Sequence, residues 1–222
     1  MIAVETLDAR HAALVAQAAR GEAQPLGHAL DGEPRLFVYD GVLPDPEAYR
    51  RWALSLPYTS LTVGAATFHG MASCDDTALA DLIQQAHPRT VPGVTLFRRS
   101  PAGQVEPSFI HTDRDMGDWT GILYLTPDPP EADGTVFYRH RGTGAYGSQA
   151  EDAASVRQEW QDWRDETQWA PWTRVAARFN RLVLFPAPLF HARAIPENYG
   201  TGDDARLIQL VFGTGPLEEA PL

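Results

Sequence analysis

The sequence predicts an α+β chain whose main body is a β-sandwich or barrel of jelly-roll type. Three observations carry this. Helix-forming segments come first, and only one more follows inside a later insert. From about residue 91 onward, short apolar or alternating segments succeed one another, separated by Gly, Pro and Asp. With 222 residues, 44% of them hydrophobic, the chain can bury a sizeable core. One domain over residues 1–222 is expected, with 1–34 as a helical N-terminal extension and 141–179 as a tryptophan-rich insert between core strands.

Residues Leu7 to Arg20 are alanine-rich and helical in composition, with Gly21 as a natural stop. GEAQPLGHALDGEP reads as a loop and RLFVYD, Arg35 to Asp40, as a short strand. A helix follows from about Asp45, which can cap it, with Pro46 suited to its first position. Asp75 or Asp76 opens another helix through Gln85, closed by HPRTVPG. Then come VTLFRR, FIHTD, GILYLT, GTVFYRH, RLVLFPA and RLIQLVFG, a run that predicts six to eight strands. The insert opens with RGTGAYGSQ and continues as a helix, EDAASVRQEWQDWRDE, where Val156, Trp160 and Trp163 share one face. Trp169 and Trp172 follow it.

The formal charge is -11, from 29 acidic and 18 basic residues, and no basic stripe exceeds the pairs Arg50–Arg51 and Arg98–Arg99. That field opposes a nucleic-acid partner. The single cysteine, Cys74, excludes an internal disulfide framework and fits a reducing cytoplasm. The first residues lack the basic and apolar regions of a signal peptide, and no run is long enough to span a bilayer. The expectation is a soluble, cytoplasmic protein with no membrane partner. Oligomeric state is not legible.

Three segments carry chemistry. In FIHTD, His111 and Asp113 are two residues apart, so an extended backbone aims both side chains to one side. That pair can hold a divalent metal or can steady a loop. In RLVLFPAPLFHARAIPE, an apolar strand ends in a proline-punctuated turn that delivers His191. Two imidazoles and one carboxylate make the 2-His-1-carboxylate set of non-haem iron(II). In ARLIQLVFG, Arg206, Ile208, Leu210 and Phe212 share one face of a strand. A guanidinium that points into a barrel demands a counter-charge. A bound dicarboxylate can supply it, as can an internal partner such as Asp203 or Asp204; the remaining alternative is an outward-facing, solvated Arg206.

Taken together and in this order, HTD at 111–113, LYLT at 123–126, DGTVF at 133–137, FPAPLFH at 185–191 and Arg206 resemble the iron(II)- and 2-oxoglutarate-dependent dioxygenases. The likeness is to the prolyl-hydroxylase-like branch and covers most of the chain from about Leu36 to Gly213. The resemblance implies a double-stranded β-helix, a distorted cupin-like jelly roll, with the metal at its open end. It implies His111, Asp113 and His191 as catalytic metal ligands and Arg206 as the grip on the distal carboxylate of the cosubstrate. The implied reaction hydroxylates a C–H bond and releases succinate and carbon dioxide. Retention of Asp113 favours hydroxylation, since related halogenases put a small residue there.

The sequence also departs from the family pattern. Asp133 stands where the first of two glycines is usual, a change that this reading treats as minor. The tyrosine that often precedes Gly-Gln is absent, and Tyr124 is a substitute contact for the cosubstrate. Arg193 is a rival carboxylate binder. The substrate stays open among an amino acid, a peptide side chain and a small natural product. Tyr146 and the insert tryptophans are either a substrate wall or internal packing. Arg139, His140 and Arg141 either meet an acidic substrate group or form a solvated hairpin end. Two other classes remain: a non-catalytic jelly-roll module that binds a ligand, and a metal hydrolase using the same triad.

Overall fold

The structure, a computed structural model, describes residues 34–63, 66–74, 77–105, 110–148, 165–195 and 197–218. The helix expected over 7–20 lies outside the described residues. So does the helix expected over 151–166 apart from its last two residues, and these lead into a single 3-10 turn, Glu166–Gln168.

Two helices precede most of the strands. Helix α1, Pro46–Leu54, starts as the sequence predicts: Pro46 takes the first turn, and the Asp45 side chain accepts a hydrogen bond from the Ala48 amide at 3.0 Å. Helix α2, Ala78–Ala86, buries Leu79 and Ile83, four residues apart on one face.

Among the described residues there are ten strands: β1 Phe37–Asp40, β2 Thr59–Val63, β3 Ala66–Ser73, β4 Val91–Ser100, β5 Trp119–Tyr124, β6 Gly134–His140, β7 Trp169–Ala176, β8 Arg181–Pro186, β9 His191–Arg193 and β10 Arg206–Thr214. They form a seven-stranded sheet in the order β1-β8-β5-β10-β4-β3-β2 and a three-stranded sheet in the order β7-β6-β9. Every pairing is antiparallel. This is the jelly-roll sandwich that the strand run predicts. The hairpin β2–β3 was not anticipated. In FIHTD, the residues after the undescribed 106–109 pair only at His111, so that segment delivers side chains without building a strand.

The insert boundary also changes. Residues 169–176 form β7, a full member of the small sheet, so Trp169 and Trp172 belong to the core strands. Trp172, Val175 and Thr173 are strand residues by type, but the adjoining helical period hid the change of register.

Period-two alternation sorts the side chains of the large sheet into two cores. Leu123, Leu182, Leu184, Leu207 and Val211 face outward and bury Leu79 and Ile83 of α2 and Ala53 of α1. Ile122, Tyr124, Val183, Phe185 and Ile208 face inward and meet Phe137 and Val175 of the small sheet. The helix layer therefore anchors one face, leaving the inner face to be shaped around a site.

One turn locks this arrangement. Asn180, between β7 and β8, has φ 61. Its side chain both donates to the Leu43 carbonyl and accepts from the Leu43 amide, each at 2.8 Å. Asn180→Gly keeps the backbone conformation and loses both bonds; a loss of about 2 kcal/mol is expected. Asn180→Ala adds strain at positive φ, for roughly 1 kcal/mol more. Urea unfolding of the two variants should rank them in that order.

Candidate metal centre and its charged floor

The site is built at the end of the sandwich where β5 begins and β8 ends. His111 and His191 face each other across an isolated antiparallel bridge. Each amide donates to the other's carbonyl, at 3.0 and 2.9 Å. Two residues on, the Asp113 amide donates to the Ala187 carbonyl at 2.9 Å. These bonds set three side chains from two distant segments into one volume.

The ligand atoms of His111, Asp113 and His191 all lie within 4.8 Å of one another. His191 Nε2 is 3.4 Å from Asp113 Oδ2, and His111 Nε2 is 3.7 Å from Asp113 Oδ1. The two imidazole centroids are 4.4 Å apart. Nδ1 of His191 donates to the Leu189 carbonyl at 2.9 Å, which fixes the tautomer and turns the Nε2 lone pair toward Asp113. The Thr120 hydroxyl, on the inner face of β5, donates to Asp113 Oδ2 at 2.9 Å. Burial pushes the Asp113 carboxyl up, but the His191 and His111 imidazoles and the Thr120 hydroxyl outweigh it and bring it down to about 2. His191 is buried, which disfavours its charged form, yet the carboxylate beside it holds its pKa above the usual value.

Deeper in the sandwich lies a second polar group. Arg206, on the inner face of β10, is 5% exposed, and its Nε donates to Asp133 Oδ2 at 2.8 Å. The Tyr199 hydroxyl donates to the same oxygen at 2.7 Å. Arg193 Nε lies 3.5 Å from Asp133 Oδ1, an oxygen that is buried without a hydrogen-bond partner among the described residues. Burial raises the Asp133 carboxyl, and Arg206 and Tyr199 more than reverse the effect. Arg206 therefore pairs with Asp133, not with Asp203 or Asp204. The substitution treated as minor in the sequence supplies its counter-ion.

The rival, Arg193, spends its outer nitrogens elsewhere. It donates to Asn198 Oδ1 and, at 2.8 Å, to the Glu197 carbonyl. The two terminal nitrogens of Arg206 have no hydrogen bond among the described residues. Tyr124 is buried beside this group, its hydroxyl 2.7 Å from Thr135 Oγ1, and burial pushes its phenol up to about 12. It is therefore a neutral hydrogen-bonding group at any physiological pH.

The structure thus brings His111, Asp113 and His191 together at the open end, and Arg206 and Tyr124 together below them. His191 and Arg193 are two residues apart on β9, so the levels are separated by roughly 7 Å. Sequence reasoning missed Thr120, Asp133, Thr135 and Tyr199. Only Asp133 carried a signal, an acid in place of a glycine directly before a strand.

Thr120→Val keeps the shape of the side chain and removes the bond to Asp113. Isothermal titration with cobalt(II) should show metal affinity lower by about 10- to 100-fold, with the unfolding midpoint little changed.

Comparisons place the fold among known architectures. No curated protein matches the sequence. The model of a family of unknown function, DUF6445, matches residues 102–210, just under half of the chain. Among solved structures, the non-heme alpha ketoglutarate dependent carbocyclase SnoK from nogalamycin biosynthesis aligns with TM-score 0.53 at 14% identity, over 82% of this chain and 79% of that one. AviO1 from Streptomyces viridochromogenes Tue57 gives 0.53 at 14%, over 92% and 97%. HygX from Streptomyces hygroscopicus, with iron bound, gives 0.51 at 12%, over 90% and 86%. At these identities the likeness establishes a shared fold. No helix among the described residues is long and apolar enough to cross a membrane.

Proposed function

We propose that this chain is an iron(II)- and 2-oxoglutarate-dependent oxygenase that hydroxylates a C–H bond of a small molecule. His111, Asp113 and His191 would hold the iron, and Arg206 would grip the distal carboxylate of the cosubstrate, with Tyr124 as a neighbouring hydrogen-bonding group. The observation that carries the reading is Arg206: a buried guanidinium with one edge on Asp133 and both terminal nitrogens without a protein partner among the described residues. A hydrolase needs no such grip. A cation left half-matched in the interior is costly unless a ligand completes its pairing.

The donor set fits the metal. Two imidazoles and one carboxylate on one side leave the opposite positions open, which is the non-haem iron(II) arrangement. Bound together, iron(II), 2-oxoglutarate and dioxygen would supply oxidative decarboxylation to succinate and carbon dioxide, coupled to insertion of one oxygen atom into a substrate C–H bond. The protein's residues have positional tasks. Leu189 and Thr120 orient two of the ligands, and Asp133 and Tyr199 hold the Arg206 fork. Phe137 and Phe185 flank His191 and keep bulk water from its buried side, with ring centroids 6.2 and 4.8 Å from the imidazole.

The order of HTD, LYLT, DGTVF, His191 and Arg206 supports the prolyl-hydroxylase-like branch, and the lone Cys74 fits the cytoplasm. A small-molecule substrate agrees with SnoK, whose fold this chain shares and which acts in nogalamycin biosynthesis.

The test is anaerobic titration of the metal-free protein with iron(II) and then 2-oxoglutarate, following the visible charge-transfer band. The wild type should develop the band, and His191→Ala should not. Arg206→Lys keeps a charge beside Asp133 and loses the fork, so it should need roughly 10- to 100-fold more cosubstrate. No band in the wild type, or a band indifferent to Arg206→Lys, would overturn the assignment.

A further inference from the structure

A strip of side chains leads from the triad to the surface across the small sheet. Phe137 pairs in register with His191. Trp172 meets Phe137 edge-on, with centroids 6.4 Å apart, and Tyr146 meets Trp172 at 5.0 Å. The Arg139 guanidinium lies over the Tyr146 ring, 5.6 Å from its centroid. Arg139 is on the same face of β6 as Phe137, two residues further on.

The backbone places this strip by two devices. In the β6–β7 ladder, Phe137 opposes Thr173 and Tyr138 opposes Pro171, so Trp172 is the extra residue of a β-bulge. Bulges re-aim a side chain, and here the indole turns onto the inner cluster. Tyr146 is held by its neighbours: its carbonyl accepts from Phe190 at 3.0 Å, and Gly147 bridges Leu189. Both segments lead directly to His191. Gly144, at φ 74, keeps the turn clear of Arg139, whose Nη2 would lie 3.0 Å from an added Cβ.

Packing explains only part of this. Trp172 and Tyr146 are half-buried, so the inner cluster does not enclose either side chain fully, and Phe137 separates Trp172 from His191. The Trp172 indole N–H and the Tyr146 hydroxyl have no hydrogen bond among the described residues, whereas the buried Trp119 donates to the Thr214 carbonyl. Arg139 is an exposed residue that commits Nε to the Gly144 carbonyl at 2.7 Å and lays its guanidinium over the Tyr146 ring. Two ring surfaces with donors at their rims, ending in a guanidinium, match one ligand chemistry.

We infer that Trp172, Tyr146 and Arg139 form a substrate subsite for a ring-bearing carboxylate, the ring lying against Trp172 and Tyr146 and the carboxylate meeting Arg139. This rests on the proposed oxygenase reading for its role as a substrate site. Aromatic contact supplies the preference for a ring, and the guanidinium the preference for the anion.

The probes are 3-phenylpropionate, its neutral amide 3-phenylpropionamide, and hexanoate, an anion without a ring. Each is titrated against the metal-free protein by saturation-transfer NMR, so the readout needs neither iron nor turnover. For the wild type, 3-phenylpropionate should bind about five- to ten-fold more tightly than either comparator. Arg139→Gln, a surface change, should bring acid and amide to equal affinity while keeping the preference over hexanoate. Trp172→Ala should erase the preference for the ring, and Trp172→Phe should restore most of it. Equal binding of the three probes to the wild type, or preferences indifferent to these variants, would overturn the proposal. Preferences without a charge-transfer band would leave the subsite standing and remove the oxygenase. A band without preferences would do the reverse.

Discussion

Two hydrogen bonds between the backbones of His111 and His191 carry the rest of the site. The partners are 80 residues apart (191 − 111), and neither lies in a regular strand pair with the other. His191 is already held in β9 by its pairing with Phe137, but without this bridge His111 would sit in a segment outside any strand, whose closure entropy no single contact repays. With it, the register of the pair is fixed by ladder geometry, and the two rings meet at 4.4 Å. The Asp113 amide on Ala187 extends the tie by two residues, so the carboxylate arrives with the imidazoles. The cost of gathering two imidazoles and a carboxylate is borne by the helix-covered face, where Leu79, Ile83, Leu123 and Leu184 are fully buried.

A second constraint is electrostatic. Arg206 cannot shed its proton, so its burial demands an acid. Asp133 supplies one, itself braced by Tyr199, and engages only the Nε edge. Had Asp133 taken both edges in a fork, the guanidinium would be saturated and useless to a ligand. Had it been the glycine usual at this place, the empty pocket would hold an uncompensated cation. The observed arrangement stabilises the unliganded fold and still leaves the two terminal nitrogens of Arg206 without a hydrogen bond among the described residues. For the carboxylate ligand proposed above, preorganisation of this kind would reduce the reorganisation needed on binding.

What the sequence made legible follows from locality. Five of the six segments in the run of predicted strands, the Asp45–Pro46 helix start and the inward row of β10 are set by alternation and capping over a few residues and appear in the structure, whereas FIHTD pairs only at His111. The meeting of His111, Asp113 and His191 was also legible, because two residues of extended backbone place the first pair and a strand end delivers the third. The roles of those side chains remain proposals. Thr120 and Tyr199 were not legible, since their contacts depend on register between elements far apart in the chain. Asp133 was visible as a departure, but its pairing with Arg206 needed β6 and β10 in opposite sheets. Trp172 was assigned to an insert because no local pattern announces a bulge.

Strand β6 is where these separate features become one device. Thr135, Phe137 and Arg139 share its inner face at a spacing of two. The first bonds Tyr124 beside Arg206, the second packs against His191, and the third caps Tyr146 at the surface. Depth in the sandwich is therefore written along a single strand: the buried Arg206 group, the His111–Asp113–His191 cluster, the surface. The bulge opposite Phe137 and Tyr138 adds one residue to β7 without shifting β6, so an indole joins the inner cluster while the lower levels keep their register. On the proposed reading, specificity is carried by a local irregularity, and chemistry by the regular pairing beneath it.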